Sequence, residues 1–259
     1  MENFDHKALD KLKECRDHIK TEVPDEIIKN LWLGTSAKNW FSSFKTSWIV
    51  KNLPSTSLDR YKLLDIVSSY KLDENLSQMK IRELIIMIFS WGGMSRTSST
   101  GKLAIGTIQN YEKVCLNLLK NPNPISAYEE FYEMQQSGVM RGIGPAYYTK
   151  LIFFLGDQKG LIMDQWTARS INLLFKNKTI ILNYGHKNRY SVSKNNTKFV
   201  YQKYLDLMSD LTQVLSLTNI SETEELIFSC SHKQAKVKKI LGKYHKTCSA
   251  WRKYVEENT

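Results

Sequence analysis

The stretch from Gly138 to Leu173 constrains the fold of this chain more than any other part of its sequence. Within it, a glycine turn, Gly142-Ile143-Gly144-Pro145, separates two segments with helical patterns. Two glycines permit a tight turn with positive φ, and proline suits the first turn of a helix, where its missing N–H costs nothing. The apolar segment from Ala146 to Leu155 then predicts a buried helix. The stretch therefore predicts two helices joined by a tight turn.

A single acidic residue, Asp164, follows the second of these helices and opens another helical segment. It comes directly after the apolar triplet Leu161-Ile162-Met163. An Asp at such a position commonly caps a helix by accepting hydrogen bonds from the N–H groups of Trp166 or Thr167. The sequence on its own favours this cap and leaves a chemical role for the carboxylate open.

The charge of the chain indicates an anionic partner. There are 37 Lys and Arg residues against 26 Asp and Glu residues, a net charge of +11, which favours nucleic acid before a membrane surface. Free N–H groups and the helix dipole at the glycine turn would form an anion site, to which Arg141 and Lys150 could add charge. Each observation is weak alone, since a soluble basic protein with a close-packed helix pair would look the same.

Other features exclude several classes of protein. Four cysteines lie far apart, at 15, 115, 230 and 248, without any Cys-x-x-Cys pair or Cys/His cluster. We therefore predict no metal site and no cofactor, and reduced thiols in a cytoplasmic protein. The N-terminus is polar and charged, unlike a signal peptide, and no apolar run approaches the roughly 20 residues of a membrane span.

Helical periodicity along the chain predicts an all-α protein of about ten helices. Residues 80–175 are expected to form one lobe, with residues 1–79 and 176–259 packing together as a second. A short strand is predicted at 179–182. The polar stretch 183–198 is predicted to be a lid, an extra DNA contact or a disordered insertion.

Three elements together resemble the helix-hairpin-helix DNA glycosylase superfamily: Arg141 with the glycine turn, the apolar helix, and the segment Ile162-Met163-Asp164-Gln165 followed by Ala168-Arg169. The sequence is most similar to the branch of 8-oxoguanine-type glycosylases, which includes enzymes that attack modified bases in phage DNA as a defence. The resemblance covers roughly 80–175, with a looser match over 204–228. It implies a two-lobed helical fold with a cleft between the lobes, and a monomer that flips a damaged or modified base out of double-stranded DNA.

The resemblance also implies roles for particular residues. Asp164 would stabilise the positive charge that develops at C1′ as the N-glycosidic bond breaks. Tyr147 and Trp166 would line the base pocket, although Trp166 could equally cover a hydrophobic seam. The double-glycine loop, residues 91–96, would wedge into the duplex. The predicted DNA contacts are Arg141, Gly142, Ile143, Gly144, Ala146, Trp91, Gly92, Gly93, Met94, Arg96 and Arg169.

One position departs from the family pattern. Members that also cleave the DNA strand carry a Schiff-base lysine two residues after the second glycine of the turn, and here that residue is Ala146. A glycosylase that uses water as the nucleophile is therefore expected. Lys150 lies one helical turn further on, and could contact the base, act as a displaced nucleophile or bind a phosphate.

Two other kinds of protein remain alternatives. A non-catalytic DNA-binding protein would need only the glycine turn and a basic face. A helical protein that binds RNA or a membrane surface would leave Asp164 and the double-glycine loop unexplained.

Overall fold

The computed structural model describes residues 3–22, 33–46, 48, 50–95, 98–185, 189–229 and 247–259. These residues form twelve α-helices and one two-stranded β-hairpin, which confirms the predicted all-α class. The helices are α1 His6–Glu22, α2 Ala37–Phe41, α3 Arg60–Lys71, α4 Gln78–Trp91, α5 Ser99–Gly106, α6 Ile108–Lys120, α7 Pro124–Gln136, α8 Pro145–Leu155, α9 Gln165–Leu174, α10 Lys198–Val214, α11 Ile220–Ser229 and α12 Thr247–Asn258. The strands are β1 Leu182–Gly185 and β2 Arg189–Val192.

The chain divides into two compact units. Unit 1 contains Met1–Trp32 and Met163–Thr259, and unit 2 contains Leu33–Ile162. These boundaries differ from the expected ones at 79/80 and 175/176. Residues 33–79 belong with α4 because hydrogen bonds connect the two. The backbone N–H of Thr35 donates to the carbonyl of Ser90, and the indole side chain of Trp40 donates to the carbonyl of Met94.

Unit 2 is built around α4, whose residues from Glu83 to Trp91 are all buried. This helix packs against α2, α3, α6 and α8. The predicted apolar helix α8 is buried from Tyr148 to Leu155, and Phe153 and Phe154 are core residues, as expected. Each such side chain contributes roughly 1.5–3 kcal/mol through burial, so α4 and α8 hold unit 2 together.

Unit 1 is built around α9, which packs against α1, α10, α11 and α12 and against both strands. The strands pair antiparallel, with Leu182 opposite Val192. The predicted strand at 179–182 was therefore placed too early in the chain. The side chain of Asn172 accepts hydrogen bonds from the N–H groups of Thr179 and Ile180, which keeps both residues out of a ladder.

The polar stretch 183–198 contains most of this β-hairpin, and its residues 186–188 lie outside the described part of the chain. Cys15 and Cys115 are buried free thiols, and burial raises the pKa of Cys15 to about 11. In the described ranges, no group of three or more His, Cys, Asp or Glu side chains is placed to hold a metal ion. Within the same ranges, no helix combines the length and hydrophobicity that a membrane span requires.

Candidate functional site

The backbone conformation and the packing of the glycine turn both require a glycine at position 142. This residue has φ of +71°, in the left-handed region that favours glycine. A Cβ atom built on Gly142 would lie 2.2 Å from the carbonyl oxygen of Thr100 and 2.9 Å from the backbone nitrogen of Ala104. The backbone of the turn is therefore pressed against α5, with no room for a side chain.

Hydrogen bonds hold the turn in this position. The side-chain amide of Gln135 on α7 donates to the carbonyl of Ile143 at 2.8 Å, and the N–H of Met140 donates to the carbonyl of Met134 at 2.9 Å. The N–H of Arg141 donates to the hydroxyl of Thr107 at 3.3 Å, while the Arg141 side chain remains exposed. The turn is thus fixed to α5 and α7 before any ligand binds.

Four backbone N–H groups at this turn have no hydrogen-bond acceptor in the part of the chain that the structure describes, those of Gly142, Ile143, Gly144 and Ala146, and the last three lie at the start of α8. The first helical hydrogen bonds of α8 come from the N–H groups of Tyr147 and Tyr148, which both donate to the carbonyl of Gly144. Since the start of a helix also carries partial positive charge, these three amides can bind an anion such as a phosphate.

Asp164 caps α9 with one of its two carboxylate oxygens. Its Oδ1 accepts from the N–H of Trp166 at 2.8 Å and from the N–H of Thr167 at 3.1 Å. Among the described residues, none donates a hydrogen bond to Oδ2, and the side chain is partly exposed. The cap that the sequence favoured is therefore present, and it leaves the second oxygen available for chemistry.

A group of fully buried polar side chains supports this cap. The hydroxyl of Thr167 accepts from the N–H of Asp164 at 3.0 Å, which completes a capping box. The hydroxyl of Tyr204 on α10 forms a hydrogen bond with Thr167. Burial and then the nearby carboxylate of Glu224 on α11 raise the pKa of Tyr204 well above its ordinary value. Asp164 is thus held through contacts that reach α10 and α11.

The sequence indicated the backbone N–H of Thr167 as a cap donor, but neither the hydroxyl of Thr167 nor Tyr204 as a support of Asp164. The spacing of Asp164 and Thr167 is that of a reciprocal cap, so this signal was present in the sequence. Tyr204 follows 37 residues after Thr167 on a different helix, and no local pattern connects them.

Lys150 is folded back along α8. The residue is 6% exposed, and its Nζ donates to the carbonyl of Ala146 at 2.7 Å. The same Nζ lies 5.4 Å from the centre of the Tyr147 ring. A Cβ on Gly92 would lie 2.7 Å from Cδ of Lys150, so the absence of a side chain at Gly92 makes room for the lysine. The amine therefore lies at the first turn of α8, beside the backbone of Ala146.

Some residues of the double-glycine loop are buried, whereas a wedge into the duplex requires exposed side chains. The Trp91 ring is buried against Phe154, with ring centres 4.8 Å apart, and Met94 is buried as well. Gly93 is exposed, with φ of +72°. Arg96 lies outside the described residues. The structure thus places the side chains of Trp91 and Met94 in the core of unit 2.

Arg169 lies inside unit 1, although the sequence predicted a DNA contact. It is 4% exposed, and its Nε donates to the hydroxyl of Thr259 at 2.8 Å. Its guanidinium stacks 4.2 Å above the Tyr190 ring, and burial lowers its pKa. The ring of Trp166, a predicted pocket residue, lies 3.6 Å from the guanidinium carbon of Arg252. Both residues therefore fasten α9 to its neighbours in unit 1.

Comparison with known proteins gives one match. The family model described as "Putative 8-oxoguanine DNA glycosylase OGG-like protein" matches residues 28–228, which is more than half of the chain. Neither the curated proteins nor the solved structures gave a match. The matched range contains the glycine turn, Lys150, Asp164 and Tyr204.

Proposed function

The chain belongs to the family of OGG-like putative 8-oxoguanine DNA glycosylases, and on this premise we propose that it releases a damaged or modified base from double-stranded DNA. The observation that carries this proposal is the different use of the two carboxylate oxygens of Asp164. Oδ1 accepts the hydrogen bonds of the cap, and Oδ2 receives no hydrogen bond from any described residue. Because the cap uses Oδ1 alone, Asp164 can cap α9 and still present Oδ2 to a nucleotide. The direct test is the detection of a free base after incubation with DNA.

Asp164 would act on a nucleotide that has been flipped out of the duplex, which costs a few kcal/mol of stacking and pairing. As the bond from C1′ to the base breaks, its electron pair leaves with the base, which takes up a proton. The negative charge of Oδ2 stabilises the positive charge that develops on the sugar. The oxygen of a water molecule then bonds to C1′ and the water gives up a proton, which balances the proton taken up by the base and leaves an abasic site in an unbroken strand.

The glycine turn would hold the DNA backbone. The amides of Ile143, Gly144 and Ala146 supply three donors for one phosphate group, and the exposed side chain of Arg141 adds positive charge. Contacts to phosphate position DNA without reading its sequence. Binding at this turn should therefore depend on salt and show little dependence on base sequence.

The buried hydroxyl groups behind Asp164 provide a matched pair of variants. Thr167→Val removes the hydroxyl that accepts from Asp164 and contacts Tyr204, whereas Thr167→Ser retains it. We expect Thr167→Val to lower stability by about 1 kcal/mol. We also expect it to slow base release by roughly tenfold, because a loosely held carboxylate spends less time in position.

Single-turnover base release, DNA affinity and thermal unfolding would be measured for both variants and for Tyr204→Phe. The expected pattern is a slower chemical step with unchanged DNA affinity for Thr167→Val and a smaller effect of the same kind for Tyr204→Phe. Equal rates for the Val and Ser variants would contradict a positioning role for this hydroxyl.

A second candidate mechanism is a glycosylase that also cleaves the strand through Lys150. One observation favours it: the Lys150 amine lies 2.7 Å from the carbonyl oxygen of Ala146. Ala146 stands at the sequence position at which family members with a Schiff base carry their lysine. We favour the water mechanism because the position of that lysine itself is occupied by Ala146.

Borohydride trapping separates the two mechanisms. We expect wild-type protein to form no covalent adduct with DNA under reducing conditions, and Lys150→Ala to retain base release. A trapped adduct that forms with wild type and disappears in Lys150→Ala would overturn the water mechanism. Lys150→Arg provides the control, since it keeps the charge and cannot form a Schiff base.

A further inference from the structure

A groove in unit 2 is lined by none of the residues assigned to base release, although its helix α5 also contacts the glycine turn. We call it the cationic groove, and it has a volume of about 730 Å³ between residues 43–46 and 48, α4, α5 and α6. Its lining includes Lys45, Arg82 and Lys102, and none of the described residues that line it is acidic. Pockets of roughly 300–1,000 Å³ commonly bind small molecules or single residues of a polymer.

Two of the three cations in the cationic groove are available to an anion. Arg82 is neutralised by Glu112, with Nε to Oε2 at 2.6 Å and a second contact at 3.3 Å. Lys45 and Lys102 are exposed, and neither forms an ion pair among the described residues. The groove therefore carries a net charge of about +2 that a phosphate-bearing ligand would satisfy.

Aromatic side chains form another part of the lining. Phe44 lies 4.7 Å from Trp40 by ring centres, and Trp48 stacks on Phe41 at 5.2 Å. The guanidinium of Arg82 lies 5.0 Å from the Trp48 ring. The Phe44 ring is partly exposed and packs against Trp40, whereas the faces of the Trp48 ring are already in contact with Phe41 and the Arg82 guanidinium. A partly exposed aromatic ring beside lysines is an arrangement by which proteins bind unpaired bases together with their phosphates.

We propose that the cationic groove binds a single-stranded segment of DNA, with phosphates on Lys45 and Lys102 and a base against Phe44. A single strand fits better than a duplex, because stacking requires an exposed base face and paired bases have none. The neutral side chains of Ser43 and Gln109, which also line the groove, can bond to base edges. The proposal does not depend on the proposed base release.

Gly106 offers a precise means of testing the groove. This residue lines the groove at the end of α5, its φ is outside the positive region, and a Cβ built on it meets no atom within 4 Å. A side chain introduced there would point into open space without strain on the fold. Gly106→Glu and Gly106→Gln have nearly the same shape and differ by one charge.

The experiment measures binding of a fluorescent oligothymidine strand, and of a duplex that contains the same strand, at low salt. We expect Gly106→Glu to bind the single strand roughly tenfold more weakly than Gly106→Gln, since a carboxylate close to a phosphate is repelled. Gly106→Lys should bind it more tightly than Gly106→Gln. The loss with the Glu variant should be larger for the single strand than for the duplex.

A surface variant serves as the control for net charge. Asn117→Glu changes the charge of the chain by the same amount on an exposed position of α6, about 12 Å along the helix from Gln109. It should bind the single strand as wild type does. Equal binding by the Glu and Gln variants, equal losses for single strand and duplex, or an equal loss with Asn117→Glu would overturn the proposal.

Discussion

Asp164→Asn is expected to reduce base release by at least about 100-fold while the fold and DNA binding are retained. Asn is as good an N-cap as Asp, so its side-chain oxygen can still accept from the N–H groups of Trp166 and Thr167. What the substitution removes is the negative charge on Oδ2. The variant therefore separates the chemical role of the residue from its structural role.

Asp164→Ala is the companion variant, because it removes both the charge and the cap. It should lose base release equally and should also lower the free energy of unfolding by about 1 kcal/mol. The measurements are single-turnover release of a base, DNA affinity and thermal unfolding. Full activity in Asp164→Asn would remove the carboxylate from the mechanism.

Gly142→Ala is expected to weaken both stability and DNA binding, and Gly138→Ala provides its control. The two glycines have nearly the same φ, +71° and +74°. Only Gly142 is enclosed: its Cβ would lie 2.2 Å from the carbonyl of Thr100, whereas a Cβ on Gly138 meets no atom within 4 Å. Both variants carry the conformational cost of about 1 kcal/mol, and only Gly142→Ala must also push the turn away from α5.

The displaced turn would misplace the amides of Ile143, Gly144 and Ala146. Since a hydrogen bond to a charged group contributes about 1.5–3 kcal/mol, we expect duplex affinity to fall by roughly 10-fold to 100-fold in Gly142→Ala. Gly138→Ala should bind DNA as wild type does. The loss should be similar for duplexes of different sequence, and a strong sequence dependence would argue against a backbone contact.

The parts of the fold that the sequence predicted correctly are those with strong local signals. The apolar segment from Ala146 to Leu155 predicted a buried helix, and α8 is buried from Tyr148 to Leu155. The turn between α7 and α8 follows from Gly142 and Pro145. Asp164 followed by Thr167 carries the spacing of a cap, and both residues form one.

The predictions that differ from the structure depended on contacts between distant parts of the chain. The segment 33–79 belongs to unit 2 through hydrogen bonds such as that from the N–H of Thr35 to the carbonyl of Ser90. No local pattern in the sequence of this segment predicts such a bond. Arg169 looks like a surface cation in sequence and is enclosed by Tyr190 and Thr259. Trp91 and Met94 are buried because α2 and α8 cover them.

Breakage of an N-glycosidic bond is the activity proposed for this chain, and mass spectrometry detects the free base that such a reaction releases. Purified protein would be incubated with DNAs that carry oxidised, alkylated or otherwise modified bases, including modified phage DNA, with Asp164→Asn in parallel. We predict a free base and a matching abasic site with at least one of these DNAs for wild type, and neither for the variant. Tight DNA binding by wild type with no base released from any of them would contradict the account and leave a DNA-binding protein without this activity.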